Sequence, residues 1–461
     1  MTENLDCVII GSGQAGKPLA FALARAGLKT ALVEREHVGG TCINVGCTPT
    51  KTMVASARVA YLARRAAGYG VNAGPVTVDM ARVRARKRAI VERFRNYGTQ
   101  RLQNTPNLEL IFGTAKFVDA AMVQVAVRHG GTRRLSAPKV VINTGGRPAL
   151  PPIPGLADVP YLDSSSIMEL DVVPQHLLVV GGGFIGLEFA QMFRRFGAQV
   201  TVLQREPRVA PREDDDVGRA LRAILEEDGI RIECDVAVER IARADGGVEV
   251  QLRRGDAAFR VAGSHLLVAA GRRPNTEDLN LQAAGIEVDR GGFVPVDATL
   301  QTRTAGIYAV GDVKGGPAFT HISYDDFRIL RDRWVLGQDA QLGDRLVPNC
   351  VFTDPQLASV GLSESQARAQ GRNIRVAKIG MNGIARALEM DEARGFVKVI
   401  VDADTGQILG CTVLGIEGGE IMSMLQIAML GKLPYTVLKE AIFAHPTLAE
   451  GLNNVFLALD G

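Results

Sequence analysis

Two cysteines near the start of the chain have a spacing that suits redox chemistry. Cys42 and Cys47 are separated by four residues, in a segment that begins with two glycines and carries Pro49. If a helix starts here, the two cysteines lie about one and a half turns apart and their side chains come within reach of each other. A disulfide between them, which needs Cα atoms about 4.4–6.8 Å apart, would constrain little chain entropy because its loop is so short. We therefore predict a redox-active pair.

The alternatives are two buried structural cysteines or half of a zinc site. Structural zinc takes four ligands, commonly as two closely spaced pairs. The remaining cysteines lie singly along the chain, at Cys7, Cys234, Cys350 and Cys411. Because no second pair is visible, we predict no resident metal.

A glycine-rich turn precedes this segment, between two apolar runs that flank a helical pattern. Gly11 allows the tight turn, Gly13 lets the backbone approach a pyrophosphate, and Gly16 lets the helix pack closely on the strand. Glu34 ends the second apolar run, where a carboxylate can accept hydrogen bonds from a ribose. The pattern predicts a βαβ dinucleotide-binding unit, with phosphates at the helix N-terminus.

The same pattern recurs in the middle of the chain. Gly181, Gly183 and Gly186 follow an apolar strand and open a helix. Gln204 lies 23 residues after Gly181, as Glu34 lies 23 residues after Gly11. The chain is therefore predicted to carry two dinucleotide sites in the same register.

The second site differs where cofactor specificity is set. Gln204 stands in place of the acid, Arg205 follows it, and Arg208 is close by. An acid would repel a 2′-phosphate, whereas an arginine can pair with it. We therefore predict NADPH over NADH, although Glu206 interrupts the arginines and a solvated surface is the alternative.

Length and composition describe an ordinary globular protein. The chain has 461 residues, which suggests about three domains, and its net charge of +3 is too small to indicate nucleic acid or a membrane surface. The basic run 82–88 lacks interleaved aromatic residues and is interpreted as a solvated helix face. No apolar run reaches membrane-spanning length, and the polar N-terminus leads straight into a strand without a signal peptide. The default expectation is therefore a cytoplasmic protein without nucleic-acid or membrane partners.

These motifs together resemble the pyridine nucleotide–disulfide oxidoreductases, such as glutathione reductase, dihydrolipoamide dehydrogenase and mercuric reductase. The resemblance covers nearly the whole chain and includes the two fingerprints, the cysteine pair, Gly311-Asp312 and the segment 445–450. It implies an α/β fold with two Rossmann-like dinucleotide-binding domains, for FAD and NAD(P), and a C-terminal α+β dimerisation domain.

The implied domains follow changes in sequence character. We expect the FAD-binding domain in two parts, 1–147 and 275–346, with an NAD(P)H-binding domain at 148–274 and a dimerisation domain at 347–461. The proline-rich stretch 148–154 is interpreted as a linker, and helices are expected over 54–67, over 79–101 and near His445.

The resemblance also assigns cofactor-binding residues. Those implied for FAD are Gly11, Gly13, Gly16, Glu34, Thr41, Lys51, Ala115, Thr144, Gly145 and Asp312. Those implied for NADPH are Gly181, Gly183, Gly186, Gln204, Arg205 and Gly271.

The implied chemistry is an electron relay from NADPH through the flavin to the cysteine pair. By similarity, Cys47 abuts the flavin and Cys42 performs exchange with the substrate. Lys51 is expected to pair with Glu188 near flavin N5. The enzyme would be a homodimer in which His445 of the partner subunit, oriented by Glu450, completes the active site.

Three substrate classes stay open. The first is a small disulfide. The second is a metal ion, Hg(II) or Cu(II), or an oxidant, although this sequence lacks the C-terminal cysteine pair of mercuric reductases. The third is the lipoyl group of a multienzyme complex, with NAD as cofactor, which Gln204 and Arg205 disfavour.

Overall fold

The computed structural model describes residues 2–460, in which 22 strands and 12 α-helices are formed. The strands are β1 Thr2–Asn4, β2 Cys7–Ile10, β3 Thr30–Glu34, β4 Leu108–Phe117, β5 Met122–Val127, β6 Thr132–Ser136, β7 Val140–Ile142, β8 Gly146–Pro148, β9 His176–Val180, β10 Gln199–Leu203, β11 Arg231–Glu233, β12 Ala237–Ala244, β13 Gly247–Arg254, β14 Ala257–Gly263, β15 His265–Val268, β16 Arg272–Pro274, β17 Ile307–Ala309, β18 Asn349–Val351, β19 Gln356–Gly361, β20 Ile374–Gly380, β21 Phe396–Asp402 and β22 Ile408–Gly415. The helices are α1 Gly16–Arg25, α2 Gly40–Asn44, α3 Cys47–Arg65, α4 Met80–Gln103, α5 Phe184–Phe196, α6 Asp215–Glu227, α7 Thr320–Trp334, α8 Glu364–Ala369, α9 Ala385–Glu389, α10 Gly418–Leu430, α11 Tyr435–Lys439 and α12 Gly451–Leu457.

The chain divides into two compact units. The first unit holds the chain up to Met53 together with 81–149 and 271–345. The second unit holds 54–80, 150–270 and the chain from Leu346 onward. The domain boundaries drawn from the sequence stay predictions.

The first unit is built on an eight-stranded sheet whose order is β1-β6-β5-β4-β3-β2-β7-β17. Its strands from β4 to β17 run parallel. In the central strand β2, Val8 and Ile10 belong to one buried cluster, whereas Cys7 and Ile9 belong to another. Successive side chains of a strand point to opposite faces, so both faces of this sheet are covered. This explains why β2 appears in the sequence as a continuous apolar run.

The second unit contains three sheets. A parallel sheet of order β11-β10-β9-β15 carries the second glycine-rich turn. An antiparallel sheet β12-β13-β14 is inserted in the chain between β11 and β15. The C-terminal part forms an antiparallel sheet of order β18-β19-β22-β21-β20. Its core includes α10 and α12, through residues such as Leu425 and Phe456. No helix in residues 2–460 combines the length and apolar character needed to cross a bilayer.

The helix expected over 54–67 begins earlier, at Cys47. Pro49 lies in its first turn, where a missing N–H costs no hydrogen bond. The hydroxyls of Thr50 and Thr52 donate to the carbonyls of Gly46 and Thr48 at 2.7 and 2.8 Å. The first turn is therefore stable although proline stands in it, and Cys47 begins the helix.

The helices expected near His445 are present, since α11 ends at Lys439 and α12 begins at Gly451. His445 itself lies between them and is followed by Pro446. Two other local features differ from the sequence analysis. Pro148 is not part of a linker, because it ends strand β8, which pairs with β16. The polar strand β6 was not predicted from the sequence. Its composition does not indicate a strand, and it forms one because it pairs with β1 and β5.

Candidate active site

The redox segment, residues 39–47, packs directly on the first glycine-rich turn. Gly39 and Gly40 have φ of +111° and +63°, which side chains rarely adopt. A Cβ on Gly40 would lie 2.7 Å from the Cα of Gly13, so the two backbones touch. The side-chain amide of Gln14 donates to the Gly39 carbonyl at 3.1 Å. The fingerprint turn thus fixes the start of the short helix α2, which carries Cys42.

Asn44 holds the other end of α2. Its side-chain amide donates to the carbonyls of Val38 and Gly40 at 3.1 and 3.0 Å. Arg95 on α4 donates to its side-chain oxygen at 2.9 Å. After a break at Val45, Cys47 opens α3. The two cysteines therefore lie on separate helices whose meeting point is fixed.

The two thiols interact with each other and with a hydroxyl. Cys47 Sγ lies 3.3 Å from Thr320 Oγ1. The hydrogen bond with Cys47 and burial raise the pKa of Cys42, whereas Thr320 and the charge of Lys51 lower it. The increase has a simple cause, since two adjacent sulfurs cannot both hold a negative charge at little cost. The first thiolate therefore forms more easily than the second, and Lys51 and Thr320 lie near enough to stabilise it.

Helix α7 connects the thiols to the Gly311-Asp312 turn. Thr320 begins this helix, and Asp326 lies on it fully buried. The Asp326 carboxylate accepts the N–H of Gly311 at 2.8 Å and pairs with Lys314 and Arg345 at 3.4 and 2.9 Å. Thr320 and Asp326 are the positioning residues that the sequence analysis missed. The sequence feature that could have indicated Thr320 is its position at the start of the helix that follows Gly311-Asp312.

The first fingerprint has the shape that a dinucleotide needs. A Cβ on Gly11 would lie 2.3 Å from the Asn143 carbonyl oxygen, and one on Gly16 would lie 2.3 Å from that of Gly11. Glu34 accepts hydrogen bonds from the N–H and hydroxyl of Ser12 at 3.1 and 2.6 Å. No described side chain caps the start of α1, which leaves this helix end open to a phosphate. These residues fit the ADP half of FAD.

The other residues expected along FAD are also in the first unit. Thr41 donates to the Gly146 carbonyl at 3.4 Å, and Thr144 donates to that of Asn275 at 2.7 Å. Gly145 has a φ of +65°, Ala115 is buried in β4, and Lys51 lies one turn after Cys47 in α3. Gly271, which was expected to bind NADPH, has a φ of +132° and also belongs to the first unit. Burial raises the pKa of Asp312, and Arg272 and Lys314 oppose this increase.

The second fingerprint repeats the first in detail. A Cβ on Gly181 would lie 2.5 Å from the Ala269 carbonyl oxygen, and one on Gly186 would lie 2.0 Å from that of Gly181. The position of Gly183 faces open space, as a ligand approach requires. Gln204 accepts the Gly182 N–H at 2.7 Å, the role that Glu34 plays for Ser12. The second turn therefore has the shape that a dinucleotide needs, although an amide stands where the first turn has a carboxylate.

Comparison with known sequences decides the family. Residues 5–326 match the family described as pyridine nucleotide-disulphide oxidoreductase, and residues 347–456 match the dimerisation domain of that family. The chain belongs to the pyridine nucleotide-disulphide oxidoreductases. The family and fold class expected from the sequence are thus confirmed. As a member, the chain is an oxidoreductase of the flavoprotein type, for which FAD and a pyridine nucleotide are the cofactors, and its dimerisation domain indicates a homodimer.

Relatives within the family differ in activity. The chain is 39% identical to a probable pyridine nucleotide-disulfide oxidoreductase, RclA, of Escherichia coli (strain K12), over 98% of this chain and 99% of that protein. It is 33% identical to a mercuric reductase of Lysinibacillus sphaericus, over 99% of this chain and 83% of that protein. A solved structure described as a Cu(II) complex of HOCl-induced flavoprotein disulfide reductase RclA from Escherichia coli is 38% identical, covers 99% of both chains and superimposes with a TM-score of 0.90.

The two arginines that follow Gln204 differ in their surroundings. The Arg205 side chain is 84% exposed and pairs with Glu206 at 3.0 Å. Arg208 is held closer to the backbone, because it donates to the carbonyls of Pro211 and Glu213 at 3.3 and 3.4 Å. Arg205 is therefore the guanidinium that is available to a ligand.

Glu188, His445 and Glu450 lie in the second unit, whereas both cysteines and Lys51 lie in the first. Glu188 is buried on α5 and accepts the Phe352 N–H at 2.8 Å. His445 is exposed, and its Nδ1 lies 2.9 Å from the Glu450 carboxylate. A carboxylate at Nδ1 orients the imidazole so that Nε2 faces away from it.

A buried polar network supports Glu188. Gln191, one turn along α5, accepts the Asp354 N–H at 2.7 Å and donates to the Asp354 carbonyl at 2.8 Å. Arg195 pairs with the Asp354 carboxylate at 2.5 Å. One face of α5 therefore holds the segment 352–354 that binds Glu188, a feature with no local signal in the sequence.

Removing the hydroxyl at position 320 tests its effect on the thiols. A hydroxyl that donates to a thiolate stabilises the charged form, so Thr320→Val should raise the apparent pKa of the cysteine pair by roughly half a unit to one unit. The pH dependence of alkylation by iodoacetamide in the reduced enzyme measures this pKa. Thr320→Ser keeps the hydroxyl and should keep the wild-type profile. An unchanged profile for Thr320→Val would show that the contact has no electrostatic role.

Proposed function

We propose that this protein is an NADPH-dependent reductase of a small disulfide, with Cys42 and Cys47 as its redox pair. The observation that carries the proposal is the meeting of the two thiols on a segment that touches the first fingerprint turn. A structural pair of cysteines would need neither this contact nor the nearby hydroxyl and cation. The family supports an oxidoreductase, and the residues around the thiols support a disulfide as its substrate.

The cofactor roles are assigned to the residues named above. Gly11, Gly13, Gly16 and Glu34 would hold the ADP half of FAD, and the Gly181 turn would hold the nicotinamide dinucleotide. FAD, when bound, supplies a two-electron relay between a nicotinamide and a disulfide. The chain's own part is to place the thiols, set their charge and exchange them with the substrate.

The exchange step balances within the cysteine pair. The Cys42 thiolate attacks one sulfur of the substrate disulfide, whose S–S bond breaks and whose first thiolate leaves with the electron pair and takes up a proton. The first step leaves Cys42 joined to the second half of the substrate in a mixed disulfide. The Cys47 thiolate then attacks the sulfur of Cys42, the mixed disulfide bond breaks, and the second substrate thiolate leaves with that electron pair and takes up a proton, so that Cys42 and Cys47 end as a disulfide. Two electrons pass from the cysteine pair to the substrate. Cys42 is assigned the first attack because Cys47 Sγ is held against the Thr320 hydroxyl.

The remaining roles in the proposal follow from the resemblance and from local geometry. The partner subunit's His445 would move the proton of Cys42 and return it to the leaving thiol, with Glu450 as the orienting carboxylate. Lys51 would hold positive charge near the thiols, in line with its effect on the pKa of Cys42. Glu188 would keep the catalytic role that the resemblance gives it, with its carboxylate fixed on α5 by the Phe352 N–H.

A second candidate function is the reduction of a soft metal ion. Two vicinal thiols bind such ions well. The mercuric reductases among the relatives and the Cu(II) complex of RclA support this candidate. It would use the same cysteine pair with a metal ion in place of the disulfide.

Cysteine variants test the proposed roles. NADPH oxidation by the purified holoenzyme should be driven by low-molecular-weight disulfides and abolished by Cys42→Ser and by Cys47→Ser. On two-electron reduction, the long-wavelength absorbance of a thiolate beside the flavin should persist in Cys42→Ser and vanish in Cys47→Ser. Identical spectra for the two variants would contradict the assignment. Turnover with Cu(II) or Hg(II) but with no disulfide would replace the first candidate with the second.

The choice of NADPH depends on Arg205. Its exposed guanidinium can pair with a 2′-phosphate, so Arg205→Ala should raise the KM for NADPH by roughly tenfold and leave that for NADH nearly unchanged. Arg260→Ala removes another exposed arginine of the second unit and serves as the matched control. Steady-state kinetics with both nucleotides give the comparison. Equal changes in the two KM values would remove the argument for NADPH.

A further inference from the structure

A buried ion cluster in the second unit lies at the end of the segment that follows the second fingerprint. Lys398 Nζ on β21 lies 3.1, 3.2 and 2.8 Å from carboxylate oxygens of Asp214, Asp216 and Glu364. The Lys398 side chain is 4% exposed and that of Asp214 is 7% exposed. Charges taken out of water are costly unless each one meets its partners in good geometry, so the cluster favours one arrangement of the elements that carry it.

Asp214 is the member of this cluster that lies closest in the chain to the second fingerprint. It precedes α6, and its carboxylate accepts the N–H groups of Glu364 and Ser365, at the start of α8, at 3.0 and 3.2 Å. Burial raises the pKa of Asp214, but the hydrogen bonds from Ser365 and Lys398 outweigh this effect and lower it to about 2. Asp214 is therefore charged at neutral pH, and residues of the C-terminal part set its position.

The loop 205–213 connects the second fingerprint to Asp214. The Ala210 N–H donates to the Gly182 carbonyl at 3.0 Å, and the Gly182 N–H donates to the side-chain oxygen of Gln204 at 2.7 Å. Both backbone groups of Gly182 are thus engaged by Gln204 and by the loop that follows it. Ala210 is buried and has a φ of +46°, a conformation that a residue with a side chain keeps when its surroundings hold it.

The connection between these two fixed points is short. Three residues separate Ala210 from Asp214, so the chain has little slack and a shift of Asp214 would reach the Gly182 turn. The loop also packs on α6, because a Cβ built on Gly218 would lie 3.1 Å from the Val209 carbonyl oxygen. The loop is therefore held at the Gly182 turn, along α6 and at the ion cluster.

We infer that Asp214 and Lys398 are positioning residues for the pyridine nucleotide. Lys398 holds Asp214, and Asp214 holds the loop 205–213 against the Gly182 turn, with Arg205 at the start of that loop. The inference rests on the proposed role of the second fingerprint and adds to it two residues that lie outside any glycine-rich motif. Both act through the loop and take no part in hydride transfer or thiol exchange.

Lys398→Met removes the cation and keeps an unbranched side chain. In the purified holoenzyme, the Kd for NADP+ from isothermal titration calorimetry and the KM for NADPH should each rise roughly tenfold, with kcat changed by less than about twofold. Oxidation of the dithionite-reduced enzyme by a disulfide should keep its wild-type rate in stopped flow, because no nucleotide takes part in that half-reaction. Asp214→Asn removes the charge and keeps the shape, so it should have the same effect.

Lys378→Met is the matched control. Lys378 is exposed and pairs with Asp216 at 2.9 Å, so this variant removes a lysine from the edge of the cluster and leaves the contact of Asp214 with Lys398. Its nucleotide affinity should equal that of the wild type, and an equal rise of Kd in this variant overturns the inference. In the double variant of Lys398→Met and Asp214→Asn, the Kd should rise no further than in either single variant, because both residues act through one contact.

The outcomes separate this inference from the proposed function. Unchanged nucleotide affinity in Lys398→Met and Asp214→Asn overturns the inference alone. Equal losses of nucleotide affinity and of the disulfide half-reaction, or loss of folded holoenzyme in both variants, also overturn it, because the cluster would then serve the stability of the whole chain. A wild-type holoenzyme that binds flavin but is reduced by neither NADPH nor NADH overturns the proposed function and the inference with it.

Discussion

The contact between the backbones of Gly13 and Gly40 is the constraint on which the active site depends. It joins the turn that suits a dinucleotide phosphate to the short helix that carries Cys42. A side chain at Gly40 would push the two segments apart. Because the contact is between main chains, the distance from phosphate site to thiol is set by the covalent structure of two turns. A redox relay needs such fixed placement, since electron and thiol exchange depend on short distances.

A second set of contacts is made by helix α7, which is distant from the cysteines in the sequence. Helix α7 binds the Gly311-Asp312 turn through Asp326 and reaches Cys47 through Thr320. One helix therefore contacts both the Gly311-Asp312 turn and the thiol pair. In the second unit, α5 plays a comparable role, because Glu188, Gln191 and the segment 352–354 are held in one buried network. In both units, a helix after a glycine-rich or Gly-Asp turn positions the polar side chains.

The sequence revealed those features whose causes are local. Both fingerprints were predictable because glycines, flanking apolar runs and the residue after the second strand occur within one βαβ unit. The position of Gln204 could also be predicted, and the structure shows its oxygen in the place of a carboxylate. By contrast, Thr320 and Cys47 are 273 residues apart, and no local pattern joins them. The helices expected near His445 are formed on either side of it, and only the contact of His445 with Glu450 shows how its imidazole is held between them.

Cationic residues of the first unit differ in whether a carboxylate pairs with them. Lys314 and Arg345 are paired with Asp326 and serve the fold. Lys17 and Arg101 form no ion pair within the described chain, and the Arg101 guanidinium instead lies over the rings of Phe21 and Tyr97. The difference is visible only when the contacts are known, because all four residues look alike in the sequence.

The central claim is that Cys42 and Cys47 alternate between a disulfide and two thiols. The tryptic peptide 36–51 contains both cysteines, so mass spectrometry of this peptide after alkylation in denaturant reports their state directly. The account predicts an unalkylated, internally bridged peptide from the oxidised holoenzyme and a doubly alkylated peptide after anaerobic addition of NADPH. A doubly alkylated peptide in both samples, or a bridged peptide in both, would contradict it.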